Sequence, residues 1–244
     1  MNIQEQVDHL IDTRPGKELL RPAYDDPAYE VADEIFRSGG TTAAYLVLTD
    51  AGRMIVNTGM GYEAPHHKRV FDAVRPGPTH TIVTTQAHVD HLGGVDLFRE
   101  EGTVHVAQAN NPTCQADDAR IRDLRMRTAG IWFGTIGDDA RRIYKENPGV
   151  PMTQSVPTPD VLVERSLALD VDGLRVEFHA AVGETTDCLV VWLPERRTAL
   201  VSNLFGPLFP HFPNLNTIRG DKYRFVEPQL ATNRMVREIG RAHV

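Results

Sequence analysis

The sequence predicts a mixed α/β domain built as a four-layer αββα sandwich, in which two sheets pack face to face and helices cover their outer sides. Strand-like segments come in two successive groups, and helical segments accompany each group, which favours this sandwich over a doubly wound parallel sheet. The chain has 244 residues, of which 41% are hydrophobic and 24% are charged. It can therefore bury the core of one large domain, or of one domain with appendages.

The charge and composition of the chain exclude several classes of protein. The 26 Lys and Arg residues against 33 Asp and Glu residues give a net charge of −7 without a basic block, so we expect no nucleic-acid partner. No apolar run approaches the roughly 18 residues of a membrane span, and the first residues lack the features of a signal peptide, so we expect a cytoplasmic protein. Cys114 and Cys188 cannot form a disulfide framework, and neither lies in a cysteine metal motif. Any metal ligands must therefore be His, Asp or Glu.

Residues 1–40 are predicted to form an N-terminal helix and a connecting segment, ahead of a domain that spans residues 41–244. The stretch 25–30 has no clear period and is predicted to be a loop. Pro15-Gly16 end the predicted helix. Its apolar residues recur at helical spacing and are Ile3, Val7, Leu10 and Ile11.

The first half of the domain is predicted to follow the order ββαβ. A hairpin is indicated by two apolar segments, 43–48 and 53–56, on either side of the turn residues 49–52. A helix over 62–75 and a strand over 80–85 follow. Beyond these we predict a helix around 97–98, a strand over 104–106 and helical structure over 115–134.

The last third returns to strands, between a loop-rich segment and a closing helix. Residues 137–158 contain three prolines and are predicted to be loop-rich. A helix over 228–240 closes the chain. Apolar and alternating patterns predict strands over 161–163, 167–169, 174–178, 189–193 and 199–201.

A polar cluster directly follows the strand predicted over 80–85. His88, Asp90 and His91 stand within four residues, where a loop can turn two imidazoles and a carboxylate toward one point. Gln86 and His88 project to the same side of an extended segment. Imidazole nitrogen and carboxylate oxygen are ligands of zinc and similar ions. The alternative is that both histidines are surface residues and that Asp90 caps the following helix, although the adjacent Gly93-Gly94 favours the metal interpretation.

Three segments carry a resemblance to a known family. Residues 84–94, Thr-Thr-Gln-Ala-His-Val-Asp-His-Leu-Gly-Gly, resemble the H-x-H-x-D-H-x-G-G signature of the metallo-β-lactamase superfamily, with Gln86 as the differing residue. Gly183-Glu184-Thr185 stands where most members have Gly-His-Thr, and this glutamate resembles the alkylsulfatase branch, the zinc-dependent hydrolases of alkyl sulfate esters. Residues 213–220 and 126–134 are also similar to that branch. The resemblance covers about Thr42 to Gly220 and implies a metallo-β-lactamase-like αββα sandwich.

The resemblance also implies a zinc cofactor, with one or two ions, although another divalent metal stays open. His88 and Glu184 fall on ligands of the first zinc, and Asp90 and His91 on ligands of the second. The implied reaction is hydrolysis of a small-molecule ester with an anionic end, a sulfate ester above all, through metal-activated water. Asp90 is implied as the catalytic group that accepts a proton.

Three departures from the family pattern bear on the metal. Gln86 stands where the first zinc would receive a histidine, and an amide oxygen is a weaker, neutral ligand. Asn203 stands where this branch has a second glutamate that bridges the two ions. The last histidine ligand has no counterpart, because His243 lies too early in the strand that should carry it. We therefore expect Gln86 and Asn203 to be weak ligands.

Further roles are implied around the metal. Asn57 matches an aspartate that orients a ligating histidine from behind. Asn214 and Arg219 match the pair that contacts the sulfate group in the alkylsulfatase branch, and a guanidinium suits an oxyanion. For Arg219 the alternative is a surface salt bridge with Asp221.

The remaining candidates are ambiguous. One group of residues either lines an apolar substrate pocket or packs between layers or subunits, and it comprises Phe205, Leu208, Phe209, His211 and Phe212. Other histidines lack partners at ligand spacing and are predicted to be structural or surface residues, namely His9, His66, His67, His80, His105 and His179.

Two functions therefore stay open. One is a metal-dependent hydrolase similar to alkylsulfatases, favoured by the retained ligands. The other is a degenerate member with one metal or none, which binds a small ligand or catalyses a non-hydrolytic step. The resemblance implies one more strand and one more helix after the helix predicted over 228–240. We expect either a longer chain that supplies them or a homo-oligomer in which a second chain covers the open sheet edge.

Overall fold

The computed structural model describes residues 3–13, 21–23, 26–133, 136–149, 153–204 and 224–242. Its helices are α1 (Ile3–Thr13), α2 (Ala64–Val74), α3 (Val89–Leu92), α4 (Val95–Phe98), α5 (Asn111–Arg120), α6 (Arg122–Phe133), α7 (Ile136–Glu146) and α8 (Val226–Ala242). Its strands are β1 (Tyr29–Ala32), β2 (Ile35–Ser38), β3 (Ala44–Leu48), β4 (Arg53–Val56), β5 (Thr79–Val83), β6 (Val104–Gln108), β7 (Val161–Val163), β8 (Ser166–Val171), β9 (Leu174–Ala181), β10 (Cys188–Leu193) and β11 (Thr198–Leu200).

The strands form two sheets of different character. The first has seven strands in the order β1-β2-β3-β4-β5-β6-β7, antiparallel from β1 to β4 and parallel from β4 to β7. The second has four antiparallel strands in the order β11-β10-β9-β8. Because β4, β5 and β6 are parallel, their carboxyl ends open at one edge of the first sheet.

Three groups of buried apolar residues hold four layers together. The inner faces of both sheets meet in one core, to which Val56 and Phe178 belong. The outer face of the first sheet packs against α2, α3 and α4 through residues such as Phe71 and Phe98. The outer face of the second sheet packs against α8 through Val190. The predicted αββα sandwich is confirmed.

Two local predictions are wrong. Tyr29 and Glu30, assigned to a loop, belong to β1, which with β2 extends the first sheet into the segment 1–40. These strands are four residues long, and their mixed burial leaves no period to detect. The loop-rich segment 137–158 begins with α7, which buries Ile136 and Ile143 on one face. The prolines that suggested a loop come after this helix ends.

Within the described ranges, no helix has the length and apolar character needed to cross a membrane. Cys114 and Cys188 form no disulfide bond, and Cys188 is fully buried. Burial raises the pKa of the Cys188 thiol to about 12, so this group stays protonated and packs as a small apolar residue.

Two histidines that the sequence assigned to structural roles are completely buried. His105 on β6 places Nε2 2.9 Å from Oγ1 of Thr84, and burial together with the nearby charge of Arg99 lowers the pKa of His105 to about 4. Burial and the neighbouring His66 lower the pKa of His67 to about 3. Both imidazoles are therefore neutral in the folded protein near pH 7.

These histidines predict a loss of stability in mild acid. In the unfolded chain a histidine binds a proton below about pH 6.5, whereas folded His105 resists protonation until about pH 4. The free energy of unfolding should fall as the pH drops through this interval, with His105 contributing about 1 to 3 kcal/mol. Urea unfolding at several pH values between 7 and 4 measures this decrease in the free energy of unfolding. His105→Gln should reduce the slope and His9→Gln, on the exposed surface of α1, should not. An unchanged slope in His105→Gln would contradict the assignment.

Candidate metal site

The candidate site lies where loops from both sheets meet. The segment 84–94 follows β5, Asn57 follows β4, and Thr42 precedes β3. The loop between β9 and β10 brings Glu184 to the same place. Leu189 N–H donates to the carbonyl of Thr85 across the two sheets, with N and O 2.9 Å apart. The sequence thus delivers residues that are distant along the chain to one sheet edge.

The loop after β5 is fixed by its own backbone and by close packing. The backbone N–H and hydroxyl of Thr58 both donate to the carbonyl of His91, at 2.9 and 3.1 Å. A Cβ at Gly94 would collide with Cβ of Ala64, and one at Gly93 would collide with the backbone carbonyl of Val89. The two glycines therefore allow the loop to pack against its neighbours, so the site residues start from a rigid backbone.

The structure contradicts the interpretation of His88 and His91 as surface residues. His91 is fully buried and His88 is 9% exposed. The helix α3 has His88 at its N-cap position, with no side-chain cap, and Asp90 lies within the first turn. Asp90 thus does not cap this helix. All three side chains belong to the site.

Gln86 lies at the centre of the site. Its Nε2 is 2.8 Å from Nε2 of His91, 3.1 Å from Oε2 of Glu184 and 3.2 Å from Nδ1 of His88. Its Oε1 accepts from the thiol of Cys188 at 3.6 Å. An amide group that donates hydrogen bonds here occupies the position to which three of the expected metal ligands point.

Glu184 is surrounded by donors. Nδ2 of Asn203 lies 2.7 Å from its Oε2, Nδ1 of His88 lies 3.7 Å from Oε2, and Nη2 of Arg224 lies 3.2 Å from Oε1. Burial alone would raise the pKa of Glu184, but the hydrogen bond and charge of His88 and the charge of Arg224 hold it well below its usual range. Glu184 is therefore an anion in the folded protein.

The two histidines differ in their electrostatics. Burial opposes the charged form of His88, but the hydrogen bond and charge of Glu184 prevail and raise the pKa of His88. For His91, burial prevails over the charge of Asp90 and lowers the pKa. His91 thus keeps a neutral ring with one acceptor nitrogen, the form that can ligate a metal.

Asn57 lies behind His91 and reaches it through Thr85. Oδ1 of Asn57 accepts from both the backbone N–H and the hydroxyl of Thr85, each at 3.0 Å. Thr85 Oγ1 in turn lies 3.2 Å from Nδ1 of His91. Since the Thr85 hydroxyl donates to Asn57, its oxygen accepts the Nδ1 proton of His91. This relay leaves Nε2 of His91 as the acceptor that faces the site.

Asp90 is oriented by a residue that sequence reasoning missed. The hydroxyl of Thr42 donates to Oδ2 of Asp90 and lies 3.4 Å from Nε2 of His91. Oδ2 of Asp90 is itself 3.7 Å from that same nitrogen. Asp90 remains 22% exposed and so faces the open side of the site. Thr42 carried no motif, and its contact became visible only in the fold.

Arg224 is the second residue that the sequence did not single out. It is 4% exposed and stands just before α8. It brings a positive charge to Glu184 from far along the chain. Several expected site residues lie outside the described residues, namely Phe205, Leu208, Phe209, His211, Phe212, Asn214, Arg219, Asp221 and His243.

The site carries the types of donor that bind divalent ions, imidazole nitrogen and carboxylate oxygen. Among the described residues no three His, Cys, Asp or Glu side chains are grouped closely enough to hold a metal. Instead the expected ligands form two pairs, His88 with Glu184 and His91 with Asp90, each 3.7 Å apart. Neighbouring ligands of a tetrahedral zinc ion are about 3.4 Å apart, so the pairs are spaced suitably. The Gln86 amide lies between the two pairs and donates to His91 and Glu184, so a metal ion would compete with it for the lone pairs of these two residues.

Comparison with known proteins gives a consistent picture. The sequence model of the metallo-beta-lactamase superfamily matches residues 37–216. Over 187 residues the chain is 26% identical to a linear primary-alkylsulfatase of Pseudomonas sp., a match that covers 71% of this chain and 35% of that protein. The chain therefore spans about a third of this relative.

Two solved structures show the same fold. A stereoselective inverting sec-alkylsulfatase from Pseudomonas sp. matches 87% of this chain and 36% of its own, with a TM-score of 0.67 and 17% identity. A native metallo-beta-lactamase from Legionella gormanii matches 72% of this chain and 59% of its own, with a TM-score of 0.51 and 17% identity. At this identity the likeness concerns the fold alone.

The position of Gln86 predicts at most one tightly bound divalent ion per chain. Replacing Gln86 by His should raise the zinc content, because an imidazole supplies a stronger ligand and removes an amide that donates to His91 and Glu184. Gln86→His combined with Asn203→Glu should raise it further. Elemental analysis of chelator-free protein measures the content, with Gln4→His on exposed α1 as the control. Two fully occupied ions in the unaltered chain would contradict the prediction. An unchanged content in the double variant would show that these two amides do not limit metal binding.

Proposed function

The chain belongs to the metallo-beta-lactamase superfamily, and on this premise we propose that it is a metal-dependent hydrolase of small esters with an anionic end, sulfate esters above all. One observation carries the proposal. His88, Asp90 and His91 from the loop after β5, and Glu184 from the loop between β9 and β10, bring their donor atoms together in one largely buried place. Such a convergence of imidazoles and carboxylates is characteristic of a metal site.

The ion would be held by His88, His91, Asp90 and Glu184. Gln86 and Asn203, whose amide nitrogens face Glu184, would be weak ligands only after turning their oxygens toward the ion. When bound, zinc or a similar ion supplies a water molecule of lowered pKa and polarises the ester. The protein positions the ligands through the relay from Asn57 and Thr85 to His91.

Asp90 accepts the proton in the proposed reaction. Its carboxylate is 22% exposed, whereas Glu184 is 11% exposed and is paired with Arg224 and His88. A proton acceptor has to reach the reacting water, so the more accessible carboxylate is the better placed of the two.

The anionic end of the ester is assigned to Arg219 and Asn214. This assignment rests on the similarity of residues 213–220 to the alkylsulfatases. The guanidinium of Arg224, 3.2 Å from Oε1 of Glu184, adds positive charge to the site.

A second candidate function is favoured by the hydrogen bonds of the two amides. Nε2 of Gln86 donates within a ring of expected ligands, and Nδ2 of Asn203 donates to Glu184. A site satisfied in this way can bind a small ligand, or catalyse a non-hydrolytic step, with one metal or none. Metal content and hydrolysis separate the two functions.

Hydrolysis tests the leading proposal directly. Zinc-loaded protein incubated with octyl sulfate should release inorganic sulfate, and Asp90→Asn should lower the rate at least about 100-fold by removing the proton acceptor and a metal ligand. Asp96→Asn, an exposed carboxylate on α4, should stay within about twofold. Sulfate measured by ion chromatography gives the readout. Metal-loaded protein that releases none from octyl sulfate or shorter alkyl sulfates would favour the second function.

The anion assignment of Arg219 has its own test. Arg219→Lys keeps the charge but loses the planar fork of donors, so the affinity for inorganic sulfate should fall about tenfold while the protein stays folded. Isothermal titration with sulfate measures this, and Arg234→Lys on the exposed side of α8 serves as the control. Equal sulfate affinity in Arg219→Lys and the unaltered chain would instead support a salt bridge between Arg219 and Asp221.

A further inference from the structure

Thr42 contacts two residues of the site, Asp90 and His91. Its hydroxyl donates to Oδ2 of Asp90 and lies 3.4 Å from Nε2 of His91. Thr42 belongs to the short connection from β2 to β3, which contributes neither a metal ligand nor a motif. One hydroxyl thus contacts both the proposed proton acceptor and an expected ligand.

The connection between β2 and β3, which carries Thr42, is hydrogen-bonded to the side chain of Glu63. This side chain is completely buried, and its Oε1 accepts the backbone N–H groups of Thr41 and Ala23, both at 2.8 Å. Its Oε2 accepts the N–H of Met60 at 3.0 Å. Three backbone segments are therefore joined at one carboxylate, directly before Thr42.

The same connection has no room to shift. A Cβ at Gly40 would lie 2.9 Å from Oε1 of Glu63 and 3.2 Å from Cε1 of His67. His67 is fully buried, with its Nδ1 2.8 Å from Oγ of Ser38 at the end of β2. The backbone at Gly40 thus packs closely against Glu63 and His67, two residues before Thr42.

We propose that Thr42, fixed through Glu63, is a positioning residue that orients the Asp90 carboxylate for metal binding and proton acceptance. The proposal rests on the proposed function. Asp90 is partly exposed, so its carboxylate has freedom to rotate that the buried ligands lack. A hydrogen bond from a fixed hydroxyl removes that freedom and selects the oxygen that faces His91.

Three variants of Thr42 separate positioning from packing. Thr42→Val keeps the shape and removes the hydroxyl, Thr42→Ala removes both, and Thr42→Ser keeps the hydroxyl. We expect Thr42→Val to weaken zinc binding by the metal-free protein about tenfold and to lower kcat on octyl sulfate about tenfold, with KM unchanged. Thr42→Ser should retain both values within about threefold. Thr13→Val, on exposed α1, is the control.

The zinc affinity is measured by competition with a chromophoric chelator, independently of turnover. Thr42→Val with unaltered zinc affinity and kcat would overturn the proposal and leave Thr42 a packing residue. If Thr42→Val does not fold, Thr42→Ala decides by the same two readouts. Losses equal in Thr42→Val and Thr42→Ser would also overturn it, because the hydroxyl would then not matter. Failure of the proposed function gives a different result, because the unaltered chain would then neither bind zinc nor hydrolyse the ester. That result would also overturn the role of Thr42.

Discussion

A charge removed from water has to be paired, and at this site the buried carboxylate of Glu184 is the charge on which the arrangement depends. Its donors come from separate parts of the chain: the loop after β5 supplies Gln86 and His88, the end of β11 supplies Asn203, and the start of α8 supplies Arg224. These contacts join the two sheets and the last helix at one point. A metal ion would have to compete with the same donors for the same oxygens, so folding and metal binding share one carboxylate.

The sequence predicts the fold where apolar patterns are long and fails where they are short. The hairpin of β3 and β4 and the strands of the second sheet follow from alternation and turn residues. The β1–β2 hairpin escapes prediction because each strand has four residues and partly exposed side chains. Helix α7 escapes because it is strongly polar and buries little more than Ile136 and Ile143, and the prolines beyond its end obscure it.

In the candidate site, residues that are adjacent in sequence could be predicted, whereas residues that act through distant partners could not. His88, Asp90 and His91 are adjacent in sequence, so their chemistry can be recognised from the order of the residues alone. Thr42 and Arg224 cannot be recognised in this way, because each matters only through a partner far along the chain. Glu63 is harder still, since it acts through backbone N–H groups that nearly every residue carries. A side chain whose partners are backbone N–H groups does not require particular residue types at the partner positions, so no sequence motif reveals it.

The central position of Gln86 has a consequence at the level of the gene. The codons of glutamine and histidine share their first two bases, so a change of the third base alone exchanges an amide that donates within the site for an imidazole that can ligate. Asn203 differs from glutamate by at least two bases. A lineage that carries this chain can thus gain or lose the first histidine of the signature in a single mutational step. The backbone that would receive it is already in place, because β5 and the loop after it are fixed by residues other than Gln86.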